Sequence, residues 1–363
     1  MNTFSPLTFT HLRFDCRALE PLRLNNHRAG DYLRNALAEV MLHAVCPENN
    51  RREKPTPEHA AVCPVCWLLA HEAKPGRVHR AYALVPPLPP RDVVSPRAGF
   101  SFGLTMFGET GFEFLPYLVL AVTEAGRVGV GPGRGRFALE AIWAANPLAG
   151  EAEQVLVPGE NLVRVPETAV GWANVEAVMF WWGAERNQET VKIRFLAPTR
   201  LVAGKKLVKA PDFGVLFRRL LKRIDELGGQ FAGAARRPQE EVQHLHALAD
   251  QVRLVEVGTR WVDLKSWSGR TRRHTPMGGF VGTARYRSDA WERLLPYLIL
   301  GQGTQVGKLA VKGNGVFEVA WPDGEGYWAW VDSAPEVLAR TASPKEHLSG
   351  QRGPARTANP EQQ

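Results

Sequence analysis

Long apolar runs are missing from this chain. No stretch of 18 or more apolar residues occurs, which excludes a membrane-spanning helix of ordinary length. Cysteine is scarce, with four in 363 residues, at positions 16, 46, 63 and 66. That is too few and too clustered for a disulfide-built fold of this size. The N-terminal MNTFSPLTFTHLRFD lacks the basic and apolar regions of a secretory signal and reads as the start of a strand, so a cytoplasmic protein is expected. Familiar catalytic signatures are absent too: no GxxxxGK[ST], no HExxH, no paired-aspartate motif of a metal nuclease. Acidic charge is in the minority. The 45 Lys and Arg against 37 Asp and Glu leave a net charge of +8, which suits a polyanion partner. The basic residues do not gather on one amphipathic helix, so no membrane partner is expected.

What is present is present twice. LPYLVL near residue 115 precedes GVGPGRGRF, and LPYLIL near residue 295 precedes VGKLAVKGNGVF. Leu115/Leu295, Pro116/Pro296, Tyr117/Tyr297, Gly133/Gly313, Gly135/Gly315 and Phe137/Phe317 are all 180 residues apart. An apolar helix end, a glycine-rich basic loop and a strand therefore recur as a unit, the mark of a duplicated domain. The glycines permit close backbone approach and positive φ. Arg134 and Arg136 in one loop, with Lys308 and Lys312 in the other, make a polyanion one natural ligand. A loop packed on the sister domain, its basic side chains solvated, is the other reading.

Periodicity extends the repeat. Residues 7–20 read as a strand, 28–45 as a helix, Phe100–Leu104 with Phe107 as a strand, and FALEAIWA as a further strand. In the second copy VKIRFLAP is a strand, and LVAGKKLVKAP a basic hairpin carrying Lys205, Lys206 and Lys209. Phe213–Leu227 is a helix stopped by Gly228-Gly229. Then follow a strand over 252–268, a basic turn with Arg270, Arg272 and Arg273, a strand over Gly278–Tyr286, a helix over 289–300 ending in LPYL, and a strand over Val316–Ala320. Residues 46–80 read as irregular, and 148–185 as a patternless edge or insertion. The expected class is α+β: tandem ferredoxin-like (βαββαβ, RRM-like) domains, at 1–185 with a cysteine-containing insertion and at 186–335. A flexible tail over 336–363 follows from its polar, Pro/Gly/Ser-rich composition.

Between 258 and 312 ten Lys or Arg face three acidic residues, with Trp261, Trp267 and Tyr286 interleaved. This pattern suits phosphate contacts and base stacking on RNA, or else a solvated strand face. RNA carries its own nucleophile in the 2′-hydroxyl, so a positioned imidazole and nearby cations suffice for cleavage. His27, beside Asn26 at the mouth of the first helix, is the best-placed histidine. Cys63-Pro64-Val65-Cys66 has ligand spacing and Cys46 precedes it, with Cys16, His59 or His71 available as a fourth ligand. A single CxxC is a weak zinc signal beside a loop clasp of buried small residues, and no metal or other cofactor is expected.

The chain resembles the CRISPR-associated, repeat-processing endoribonucleases of the RAMP superfamily over roughly residues 8–325. The likeness is carried by GDYLRNAL at 30–37, CPVC at 63–66, FSFGLTMFG at 100–108, GVGPGRGRF at 129–137 and LAPTRLV at 196–202. PMGGFVGTARY at 276–286 and VGKLAVKGNGVFEV at 306–319 complete it. The resemblance implies binding of CRISPR repeat RNA and cleavage of pre-crRNA without metal, leaving 2′,3′-cyclic phosphate and 5′-hydroxyl ends. It further implies hand-over of the crRNA to an interference complex. In such proteins a histidine near the first helix works with tyrosine or lysine helpers, which here implies His27 with Tyr32 and Lys308. The second loop departs from the family pattern at Leu309-Ala310. A non-catalytic RNA-binding subunit of an effector complex is the alternative.

Overall fold

The computed structural model describes residues 6–46, 48, 56–70, 79–108, 114–157, 159, 162–185, 189–268, 273–320 and 326–332. In chain order the first half holds β1 (Phe9–Ala18), β2 (Leu22–Arg23), α1 (Ala29–Ala44), α2 (Pro57–Val62), α3 (Pro64–Ala70), β3 (Tyr82–Val85), β4 (Val93–Val94) and β5 (Gly99–Phe107). It continues with α4 (Leu115–Val128), β6 (Phe137–Asn146), β7 (Glu151–Leu156) and α5 (Trp172–Glu185). The second half holds β8 (Thr190–Thr199), β9 (Leu201–Ala203), β10 (Lys206–Val208), α6 (Phe213–Phe231), α7 (Gln239–Gln251) and β11 (Arg253–Val262). Then come β12 (Lys265–Ser268), β13 (Arg273–Pro276), β14 (Gly279–Arg287), α8 (Trp291–Thr304), β15 (Phe317–Ala320) and α9 (Ala329–Asp332).

Two larger sheets carry the structure, ordered β3-β5-β1-β6-β7 and β11-β14-β8-β15. All their pairings are antiparallel. The same plan underlies both. The first long strand is central, and the strand before the second long helix lies on one side of it. The strand after the glycine loop lies on the other. Aromatic pairs set the register: Phe14 opposes Phe102, with rings stacked at 5.1 Å. Apolar faces of α1 and α4 close one core over the first sheet, and α6 and α8 close another over the second. A third cluster joins residues of both sheets, Trp143 and Ala197 among them, with Tyr327, Trp328 and Trp330 from the segment after β15. Because β1 has a core on each face, eight successive residues from Phe9 to Cys16 are buried.

The local departures from the sequence reading have physical causes. Residues 148–185 are not all extended: β7 is followed by α5, whose AVMFWW run is apolar on every side and so shows no helical stripe. Residues 46–80 contain two short helices. Thr56 caps α2 by accepting the His59 N–H at 3.1 Å, and Pro64 opens α3; both prolines suit the first turn rather than breaking it. Gly228-Gly229 do not end α6, which runs to Phe231. The left-handed residue beyond its end is Gly233 at φ 62°. LPYL lies inside α8 rather than at its end, and α7, with only Leu245 and Ala249 buried, carries too thin an apolar stripe to announce itself. The strand expected over 252–268 breaks after Val262 into β11 and β12. The tail over 336–363 lies outside the described residues.

Candidate nucleic-acid interface

Asn25 and Asn26 both take left-handed backbone, at φ 49° and 53°, a conformation asparagine tolerates better than most residues. This turn is held by backbone bonds from Asn25 to Asp92 and from Asn26 to Arg91, and it delivers a single 3₁₀ turn, Asn26–Arg28, directly into α1. His27 therefore sits at the mouth of α1, half-buried. Burial, and then the positive charge of Arg260 on β11, hold its pKa below the ordinary histidine value, so the imidazole is neutral at pH 7. A residue of the first half thus meets a cation of the second.

Around that junction the chain concentrates cations. The Arg28 guanidinium lies 5.3 Å from the Tyr32 ring centre and donates to the Lys265 carbonyl at 2.9 Å. The Tyr32 hydroxyl accepts a hydrogen bond from Asn25 Nδ2 at 3.0 Å. A cleft of about 620 Å³ is lined by Arg28, Arg200, Lys265 and His274 with Asp263 as its acidic member. Arg200 is fixed by donation to the Gly278 carbonyl at 3.0 Å, and the His274 ring meets Trp267 edge to face at 5.0 Å. A basic cleft with an aromatic beside it can hold phosphates and a base.

Beneath this surface lies a buried polar knot. The Asp31 carboxylate on α1 accepts from Lys312 Nζ at 2.8 Å, Ser266 Oγ at 2.7 Å and Asn35 Nδ2 at 3.2 Å, and Lys312 also donates to Ser266 at 2.6 Å. The second glycine loop is thereby tied to α1 and β12. At Gly30, in the first turn of α1, any Cβ would strike the Lys312 carbonyl, so glycine is required for this approach.

The expected site residues fall into distinct places. His27 and Tyr32 share one end of α1. Lys308 is exposed, and its backbone N–H donates to the Arg200 carbonyl at 3.2 Å, which sets it beside the cleft. Among the described residues it makes no hydrogen bond to His27 or Tyr32. Lys312 has its ammonium engaged by Asp31 and Ser266. In the first glycine loop Arg134 is 3.5 Å from Glu39, and Arg136 pairs with Glu20 at 2.7 Å. That loop packs on its own half: a Cβ at Gly135 would meet the Pro21 carbonyl. Lys205 and Lys206 are exposed at the β9–β10 turn, and Lys209 Nζ stands 6.0 Å from the Trp261 ring centre. Arg273 is exposed on β13, while Arg270 and Arg272 lie outside the described residues. Sequence reasoning missed Arg28 and Arg200, because the elements that bring them together are far apart in the chain. His11, the other early histidine, is fully buried, with Nδ1 2.8 Å from the Thr105 hydroxyl and Nε2 2.7 Å from the Tyr327 hydroxyl.

Cys46, His59, Cys63 and Cys66 come together, their ligand atoms all within 4.8 Å of one another. Cys16 is elsewhere, on β1, and His71 lies outside the described residues. Among the described residues no helix is long and apolar enough to cross a membrane.

Comparison with known proteins adds a family resemblance. Residues 193–317 match the family model of the CRISPR-associated endoribonuclease Cas6, and residues 7–168 match a family model described as an N-terminal domain. No curated protein matches the chain. Among solved structures, Cas6 of Thermus thermophilus is similar at 16% identity and a TM-score of 0.50, over 86% of this chain and 99% of that one. A Cas6 product complex gives 17% identity and a TM-score of 0.50 with the same coverage. A partial Cas6-RT-Cas1–Cas2 complex gives 13% identity and a TM-score of 0.55, over 90% of this chain and 48% of that one. At these identities the solved structures speak to the fold, while the family model speaks to residues 193–317. The second half of the chain thus resembles the CRISPR-associated endoribonuclease Cas6.

Proposed function

We propose that this chain is a metal-independent endoribonuclease that binds CRISPR repeat RNA and cuts pre-crRNA, leaving a 2′,3′-cyclic phosphate and a 5′-hydroxyl. The observation that carries the reading is His27: half-buried, held neutral at pH 7 and set against Arg260 at a junction rich in cations. A neutral imidazole can take the proton of a 2′-hydroxyl as that oxygen bonds to the adjacent phosphorus, while the bond from phosphorus to the 5′-oxygen breaks and that oxygen gains a proton. Negative charge gathers on the non-bridging oxygens, where fixed cations act most strongly. Arg28, Arg200 and Arg260 are available for that, with Lys308 at the edge. We assign Tyr32 and Lys308 as helpers to His27. Arg134, Arg136, Lys205, Lys206, Lys209, Arg270, Arg272, Arg273, Lys308 and Lys312 are assigned to the RNA-binding surface, with Lys312 acting through the knot that shapes it.

The fold reading belongs to the same proposal. Both sheets have the strand order of a βαββαβ unit, second-third-first-fourth, with β7 added to the first. This supports two ferredoxin-like domains, over 1–185 and 186–335, with the RNA held where they meet. An interference complex that receives the crRNA is the proposed protein partner.

A second reading is favoured by one observation: among the described residues His27 has no hydrogen-bond partner to orient its ring, which suits a subunit that grips repeat RNA without cutting. A repeat RNA with deoxyribose at the scissile nucleotide separates the two. The nuclease reading expects the all-ribose RNA to be cut and the substituted RNA to be bound equally well and left intact. Cutting of both would overturn the 2′-hydroxyl mechanism, and binding of both without cutting would favour the subunit.

A further inference from the structure

We propose that Cys46, His59, Cys63 and Cys66 form a zinc site that fastens the insertion after α1 to the end of that helix. The site stands whether or not the chain cuts RNA.

The four donor atoms are close enough to share one ion, all within 4.8 Å of one another. Cys46 Sγ lies 3.5 Å from Cys66 Sγ and 3.4 Å from His59 Nε2. Zinc bonds of about 2.3 Å to sulfur and about 2.0 Å to nitrogen place tetrahedral neighbours about 3.8 Å (sulfur–sulfur) and about 3.5 Å (sulfur–nitrogen) apart. The sulfur separation is far beyond a disulfide bond of about 2.0 Å, and all four cysteines are free. Three thiols and an imidazole form a soft donor set that suits zinc rather than magnesium or calcium.

The surroundings support the same ion. His59 Nδ1 lies 3.5 Å from Glu48 Oε1, which leaves Nε2 to face the three sulfurs, the arrangement a carboxylate imposes on a metal-bound histidine. The Thr56 cap fixes His59 in the first turn of α2, and Pro64 starts α3 between the two cysteines of the CPVC segment.

The reason for an ion here is mechanical. α2 has six residues and α3 seven, lengths that are not stable helices by themselves in water. The apolar anchorage of α3, Val65 and Leu68, packs in the same cluster as Leu37, Val40 and Met41 of α1, and the ion would cross-link that small contact to α2. α1 has 16 residues and is about 24 Å long, with His27 before its start and Cys46 after its end. The metal therefore acts on structure, and chemistry at His27 does not require it.

The test is elemental analysis of the full-length protein, purified in zinc-supplemented medium under reducing conditions. The expected result is one zinc per chain, unchanged in Cys16→Ser and reduced to background in the Cys63→Ser/Cys66→Ser double variant. Should the double variant fail to fold, wild-type protein loaded with cobalt supplies the second reading. Thiolate-to-cobalt charge-transfer absorption, abolished on adding zinc, is expected. Absence of zinc from wild-type protein after reconstitution would overturn the proposal. So would zinc retained by a folded double variant, a cobalt spectrum without thiolate bands, or a Cys46–Cys66 disulfide found by mass spectrometry.

Discussion

Burial lowers the proton affinity of both His11 and His27, to different ends. His11 is enclosed completely between two hydroxyls, and desolvation takes its pKa down to about 3. It stays neutral in the folded chain across the range where an unfolded-chain histidine, at about 6.5, becomes charged. The unfolded state therefore binds the extra proton. Stability is undiminished above about pH 6.5 and falls as pH drops below it, by up to about 1.4 kcal/mol per pH unit. Chemical denaturation of wild type and His11→Gln between about pH 7 and pH 5 checks this. The wild type is expected to lose more stability than the variant, and equal slopes would mean that His11 titrates normally. At His27 the same direction of shift suits the proposed role of general base. A general base with a lowered pKa remains neutral to lower pH, so the rising limb of the rate–pH profile is expected below the ordinary histidine value. A midpoint above 6.5 would contradict the assignment.

At the scale of elements, α1 and the second glycine loop depend on each other. Asp31 and Lys312 are nearly buried, so removing one leaves the other charged and unpaired. Asp31→Ala is expected to cost about 3 kcal/mol, and the double variant Asp31→Ala/Lys312→Met to recover part of it. A double-variant loss equal to the sum of the Asp31→Ala and Lys312→Met losses would show that the pair is uncoupled. Gly30→Ala pushes a methyl group into the Lys312 carbonyl and is expected to cost about 1–3 kcal/mol in the same denaturation experiment. The sequence showed this loop but not its role. The 180-residue repeat located both helix–loop–strand units, and alternation located the central strands, because sheet burial leaves a period of two. It could not show that the first loop packs on Pro21 while the second packs across onto α1, since both carry the same glycines. α5, α7 and the two insertion helices were missed because each lacks an apolar stripe of sufficient length. His27 was legible because its position at the mouth of a helix is local. Arg28 and Arg200 were not, because only tertiary structure joins them.

For the whole molecule the question is how a net charge of +8 is used. Arg134, Arg136 and Lys312 already face carboxylates, whereas Lys205 and Lys206 stand exposed at a turn. RNA affinity is therefore expected to fall with salt. Lys205→Ala/Lys206→Ala should flatten the plot of log affinity against log salt by about 0.7 per lysine. Arg136→Ala, whose guanidinium already pairs with Glu20, should flatten it by less than a lysine does. A slope unaltered by the lysine pair, or an affinity insensitive to salt, would remove this surface from the account.

The central claim is that His27 performs metal-free cleavage of a repeat RNA. The measurement is a cleavage and binding assay in EDTA, with wild type and His27→Ala side by side. The account predicts one discrete cut ending in a cyclic phosphate, slowed about a hundredfold or more in the variant, with RNA binding retained. Equal cutting by both proteins, or binding by wild type without any cut, would contradict it.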